Sequence, residues 1–274
     1  MNSNEILTTA TRPSTDSAAA AGSALPTYDH RAGTGPTLVL LHYWGGSART
    51  WDGVVDRLPG RDVLALDLRG WGRSQHLPGP YSLHQLAADV LGVLAESGVR
   101  DHVLVGHSMG GKVAQLVAAG RPAGLRGLVL VAPGPARPAA VVTPEYQAQL
   151  AHAYDTDEAV AGARDHVLTA TPLPDGLKAQ VLADSRASGP EAREEWPLRG
   201  IVEDISGLTV AIDVPTLVVG GEEDQVEPVE VLRDNLLPYV PGARLVVLPS
   251  GHLIPLEAPA ELARVIDGFA PLHP

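Results

Sequence analysis

The chain has 274 residues, enough for one large α/β domain with its own core and too few for two of ordinary size. Its 32 acidic residues against 20 basic ones give a formal charge of −12, which on average repels nucleic acid and anionic membrane surfaces, so neither is expected as a partner. Cysteine is absent, which excludes disulfides, thiolate metal sites and a cysteine nucleophile, and is compatible with the cytoplasmic location expected here.

Residues 1–25 are rich in Ser, Thr and Ala and lack the basic start and apolar run of a signal peptide, so they read as a flexible N-terminal arm. Residues 33–36 read as a turn into the first strand, 37–41. Further apolar runs at 63–66, 102–106, 127–131, 216–220 and 244–248 carry Val and Leu without alternation, which predicts strands buried on both faces, as in a parallel sheet. Between them, helical patterns fall at 50–58, 83–97, 109–119, 229–239 and 260–269. Strand and helix alternate, so the fold class is α/β, a mostly parallel central sheet with helices on both faces. The alternation stops between 134 and 213, where Pro, Ala and charged residues dominate and only 143–152 and 176–185 look helical. The expected organisation is a core of 26–133 and 214–274 with a small helical cap inserted at 134–213. No run approaches the roughly 18 apolar residues of a membrane span.

Gly106-His107-Ser108-Met109-Gly110 lies directly after a predicted strand and directly before a predicted helix. That is the setting of a nucleophile elbow, in which small flanking residues permit a strained turn and the hydroxyl faces a helix amino terminus. Residues 106–112 also satisfy the spacing of a phosphate loop, but that loop needs Ser or Thr next and the chain has Val113. A serine hydroxyl needs a base to take its proton. Of ten histidines, His252 follows the 244–248 strand through Pro249-Ser250-Gly251, on a loop at the carboxyl edge of the sheet where ligands bind. The acid that orients the imidazole is expected on a neighbouring loop, and Asp224 follows the 216–220 strand. Glu222, Glu223 and Glu227 are its rivals; the plain reading of any of these is a solvated acidic loop. The preceding strand runs into Ala132-Pro133-Gly134, which offers no acid.

A tetrahedral intermediate needs backbone N–H donors for its oxyanion. Met109 can supply one, and the loop His42-Tyr43-Trp44-Gly45-Gly46 the other, with Trp44 the candidate and Tyr43 the alternative. His42 reads as a residue that hydrogen-bonds this loop. Trp44 and Trp71 fall on loops at the expected active edge. With Tyr43, and Trp196 from the insertion, they are the candidate walls of a substrate pocket, a buried anchor being the equal reading for Trp196.

Together with Asp67-Leu68-Arg69-Gly70-Trp71-Gly72-Arg73-Ser74, a turn read as mostly structural, these motifs resemble the α/β-hydrolase superfamily over residues 28–270. The likeness is to its branch of carboxylesterases and cofactor-free haloperoxidase-like or perhydrolase enzymes. The family's usual His-Gly of the oxyanion loop is His42-Tyr43 here. The resemblance implies a serine hydrolase with Ser108 as nucleophile, His252 as base and Asp224 as acid, acting on a small or medium carboxylic ester through an acyl-enzyme. Neither metal nor organic cofactor is implied. The same triad would serve lactones, thioesters, carbon–carbon bonds or peracid formation, and a different class is a small-molecule receptor with a slow triad.

Overall fold

A computed structural model describes residues 24–270, so the expected arm lies almost wholly outside the described residues. Within them the six apolar runs become strands β2 (Thr34–Leu41), β3 (Arg61–Leu66), β4 (His102–His107), β5 (Leu125–Val131), β6 (Thr216–Gly221) and β7 (Arg244–Leu248). A seventh, β1 (Tyr28–Arg31), precedes them, and the sheet order is β1-β3-β2-β4-β5-β6-β7. Every pairing is parallel except that of β1 with β3. Apolar patterning does not reveal β1 because it is a short polar strand at the sheet margin. There Arg31 donates to the carbonyls of Val55 and Leu58 at 2.6 Å, and His30 meets Asp62 at 3.1 Å.

The unbroken Val and Leu runs are explained by two apolar layers. Leu38, Leu40, Val103, Val105, Val129 and Val131 point to one face, while Val39, Leu41, Leu104, Leu128 and Leu130 point to the other. Residues one apart in a strand face opposite sides, so both sets are apolar only when both faces are covered. The first layer is closed by α1 (Asp52–Val55), which follows a 3-10 turn at Ala48–Trp51, and by the carboxyl-terminal helix at Pro259–Phe269. The second is closed by α2 (Leu83–Ser97) and α3 (Met109–Ala119). Helix α2 shows why such a segment stops where it does: the Ser82 hydroxyl accepts from the Gln85 N–H, and Gly98 leaves the helix at φ 71°.

Strand β7 departs from the expectation of two buried faces. It is the other sheet margin, and Val247 is 40% exposed. The expected helix 229–239 is also cut short, into α9 (Val229–Asn235) and a 3-10 turn at Leu237–Tyr239 that contains Pro238, whose missing N–H cannot continue the ladder.

Between β5 and β6 the chain forms α4 (Pro144–Ala151), α5 (Asp157–Ala163), α6 (Asp175–Ala187), α7 (Pro190–Glu195) and α8 (Ser206–Thr209). Helices α5 and α7 run on into π-helical turns at Arg164–Leu168 and Trp196–Gly200. After β7 come α10 (Ile254–Glu257) and α11, the Pro259–Phe269 helix. Among the described residues no helix is long and apolar enough to cross a membrane.

The 67–74 turn is anchored by charge. The Arg69 guanidinium, buried, donates from Nε and Nη2 to the two carboxylate oxygens of Asp89 at 2.6 and 2.7 Å, and reaches the Pro78 carbonyl at 2.9 Å. Asp67 accepts the Ala48 N–H at 2.8 Å and pairs with Arg73, which also grips Asp29. Removing one partner of a buried pair strands the other charge, at a cost of about 3–5 kcal/mol. Asp89→Ala is therefore expected to lower unfolding free energy by about that amount in urea titrations; a loss below about 1 kcal/mol would show that the pair is not what holds this turn.

Candidate active site

In parallel strands the carboxyl ends lie along one edge, and that topology brings distant loops together. Ser108 follows β4, Asp224 follows β6, His252 follows β7, and His42 to Gly46 follow β2. Ser108 sits at φ 53° and ψ −116°, a backbone region that L residues rarely occupy and that costs about 1–3 kcal/mol. Three backbone hydrogen bonds hold it there: its N–H donates to the Val131 carbonyl at 3.0 Å, and its carbonyl accepts from Lys112 at 3.1 Å and Gly134 at 3.0 Å. The flanking glycines are required by space. A Cβ on Gly106 would lie 2.4 Å from the Gly110 carbonyl oxygen, and one on Gly110 would lie 2.5 Å from that of His42.

The His252 imidazole spans the gap between the other two residues. Its Nε2 lies 2.9 Å from the Ser108 hydroxyl and its Nδ1 2.9 Å from Asp224 Oδ2, all three side chains being buried. Burial works against ionisation of Asp224, but the field and hydrogen bond of His252 and the N–H groups of Glu227 and Val226 outweigh it and hold the carboxyl below its ordinary value. Those N–H groups donate to Asp224 Oδ1 at 3.0 and 2.8 Å. An ionised carboxylate only accepts, so Nδ1 carries the imidazole proton and Nε2 is left to accept from the serine. Glu222 and Glu223 are exposed, as a solvated loop requires.

The histidine loop is clamped by a residue that sequence reasoning missed. Glu257, on α10, accepts the Gly251 N–H at 3.0 Å and the Ser250 hydroxyl at 3.1 Å through one oxygen. Through the other it accepts the N–H groups of Ala170 and Thr171 at 2.8 and 3.0 Å. The Leu253 N–H adds a bond to the Leu168 carbonyl at 3.0 Å. From below, His107 Nε2 donates to the His252 carbonyl at 2.8 Å. An isolated Glu six residues after a glycine carries no recognisable signal.

The expected loop role of His42 is observed: its Nε2 accepts the Leu68 N–H at 3.0 Å, so Nδ1 donates to the Tyr43 carbonyl at 2.7 Å. Among the described residues, the backbone N–H groups of Met109, Trp44 and Tyr43 are not consumed by protein acceptors. A cavity of about 240 Å³ opens above Ser108 and His252, walled by Tyr43, Trp44 and, from the segment between β5 and β6, Tyr146, Tyr154 and Trp196. Trp44 stacks on Tyr154 at 4.1 Å between ring centroids and donates from Nε1 to the Arg193 carbonyl at 2.9 Å, joining the loop after β2 to the segment between β5 and β6. Trp196 is both wall and anchor, since it is 5% exposed and contacts Gly134 and Gly200.

Trp71 is a correction. It does not line this cavity; the 67–74 turn folds its ring wholly into the apolar layer beneath, edge-on to His42 at 6.3 Å. Glu227 is a second one: it is not solvated but buried, and lines the cavity.

The match with known proteins follows this geometry. A family model described as alpha/beta hydrolase fold matches residues 36–259. The chain belongs to the α/β-hydrolase family. It is 30% identical to a non-heme haloperoxidase of Rhodococcus erythropolis over 250 residues, 79% of this chain and 85% of that protein. A pimeloyl-[acyl-carrier protein] methyl ester esterase of Pseudoalteromonas atlantica is 41% identical, but over 105 residues, 38% of this chain and 39% of that protein. Among solved structures, an enol-lactonase from Burkholderia xenovorans superposes with a TM-score of 0.77 at 25% identity, covering 89% of this chain and 95% of that one. This α/β-hydrolase is thus an enzyme of the hydrolase class, in the neighbourhood of esterases and haloperoxidases.

Burial also favours the neutral form of three histidines. It lowers the pKa of His42 and His102, and, with the neighbouring His252, lowers that of His107 to about 3. Below about pH 6.5 the unfolded chain binds more protons at these positions than the native state does, so stability falls on acidification, by at most about 1.4 kcal/mol per pH unit per histidine. Glu227, whose pKa burial raises, acts in the opposite sense in the range above 4.5. Comparison with a variant isolates the histidine: His107→Asn should lose less stability than wild type between pH 7 and 5 in urea titrations, by up to about 1.4 kcal/mol per pH unit. Equal slopes would mean that His107 is protonated in the native state.

Proposed function

We propose that the protein is a serine hydrolase that cleaves a small or medium carboxylic ester through an acyl-enzyme on Ser108. The observation that carries this reading is the unbroken hydrogen-bond chain from Ser108 through His252 to Asp224 at the floor of an apolar cavity. As the Ser108 oxygen attacks the carbonyl carbon, its proton passes to His252 Nε2, and the nearby Asp224 carboxylate stabilises the imidazolium. The carbonyl oxygen, now an oxyanion, is received by the Met109 N–H at the start of α3 and by the Trp44 N–H. Collapse expels the alcohol with the proton from His252. Water then repeats the sequence: its proton goes to His252, its oxygen to the acyl carbon, and the acid leaves as Ser108 recovers its proton.

Residues 134–213 serve in this reading as a cap whose helices supply the upper wall of the cavity. An esterase and an enol-lactonase among its relatives act, by their names, on acyclic and cyclic esters, and both bonds are opened by the same attack at an acyl carbon.

A series of p-nitrophenyl esters of increasing acyl length tests the reading. Ser108→Ala is expected to lower kcat by about 10⁴-fold or more and to abolish labelling by a fluorophosphonate. Full turnover in Ser108→Ala would remove Ser108 from the chemistry. Tight ligand binding by the wild type without turnover of any ester would point instead to a receptor.

A further inference from the structure

The cavity holds a group that ester cleavage does not use. Glu227 is 6% exposed and lines the cavity alongside Ser108 and His252, yet among the described residues no hydrogen bond or ion pair holds its carboxyl. Its backbone N–H serves the Asp224 carboxylate, so the chain direction at this point is fixed, and the side chain is delivered to the cavity by the same turn that sets Asp224. No protein group hydrogen-bonds this carboxyl, which opens onto the cavity, so whatever fills the cavity is what meets it.

Its surroundings specify what completes it. Of the chain's four Trp and six Tyr, five rings wall this cavity: Tyr43, Trp44, Tyr146, Tyr154 and Trp196. Aromatic faces are negative and attract cations within about 6 Å of the ring centre, the more so in a desolvated site. The Asp224 carboxylate adds to the same field, since it raises the cost of ionising Glu227. One protein cation already exploits it: the buried Lys112 ammonium lies 6.0 Å from the centre of the Trp196 ring and donates to the Ile201 carbonyl at 3.3 Å. Lys112 makes no ion pair or hydrogen bond with Glu227 among the described residues; it acts on the carboxyl through space alone and does not outweigh the burial that opposes its ionisation. A neutral substrate would leave both the ring faces and the carboxylate form of Glu227 unused.

We propose that this cavity selects substrates bearing an organic ammonium group, seated between the aromatic rings and against the Glu227 carboxylate. Under the serine hydrolase reading on which the substrate class rests, the ester cleaved is that of an amino alcohol or amino acid; the binding preference itself does not require turnover.

Two esters of equal shape separate charge from size: acetylcholine and 3,3-dimethylbutyl acetate, in which carbon replaces the quaternary nitrogen. The wild-type kcat/KM is expected to favour acetylcholine by about tenfold or more, and that ratio should fall towards unity in Glu227→Gln, which keeps the shape but cannot become an anion. In parallel, calorimetry on Ser108→Ala compares choline with 3,3-dimethylbutan-1-ol, and choline is expected to bind about tenfold tighter. If both esters are cleaved without preference for the cation, or the preference survives in Glu227→Gln, the proposal is overturned while the hydrolase reading stands. If neither ester nor any member of the p-nitrophenyl series is cleaved but choline binds the more tightly, the cation site stands and the hydrolase reading fails. Should Glu227→Gln not fold, the two wild-type ester rates and the two calorimetric titrations on Ser108→Ala decide the matter, and equal affinities would overturn it.

Discussion

The strained backbone at Ser108 is the constraint around which the sheet edge is built. A φ of 53° in a non-glycine residue persists only where its neighbours over-determine it, and here they do so from two neighbouring strands and their loops. Val131 at the end of β5 takes the Ser108 N–H, Gly134 beyond it returns a bond to the Ser108 carbonyl, and Gly110 is pressed against the backbone after β2. The hydroxyl is thereby lifted off the sheet at the one place where helix α3 begins. Its position relative to β2, β5 and their loops is therefore set by main-chain contacts, with little left to side-chain rotamers.

The proposed acid–base chain depends on the same edge but is secured differently. Asp224 spends one oxygen on two backbone N–H groups of its own turn and keeps the other for His252. That division fixes the carboxylate in orientation as well as in place, and favours the anion against the cost of burying it. His252 has no such local turn, and its loop is steadied from outside, by Glu257, Leu168 and His107. The acid carries its own support, whereas the histidine borrows it.

That difference explains what could be read from the sequence. Five of the six apolar runs are strands buried on both faces because unbroken Val and Leu survive only under two covered faces, and the glycines around Ser108 announce a turn because no other residue fits. Ser108, Asp224 and His252 each follow a strand, so parallel topology alone collects them. The strand at 28–31 was not legible, since a short polar strand at a margin needs no apolar pattern, and β7 looked internal because its Val and Leu content is the same wherever it pairs. Trp71 and Trp44 occupy equivalent-looking loops; that the former turns inward depends on the Asp67 and Arg69 contacts, which link residues far apart in the chain. Glu227 and Glu223 differ by four positions in one acidic loop, and only the tertiary path of that loop sends one into the cavity and the other into water.

The Glu257 carboxylate has a mechanical consequence. By holding Ser250 and Gly251 with one oxygen and Ala170 and Thr171 with the other, it rivets the histidine loop to the foot of the inserted helices. Lifting that foot would rupture these bonds and drag the imbedded imidazole with it, so widening of the cavity mouth that leaves His252 in register has to hinge elsewhere.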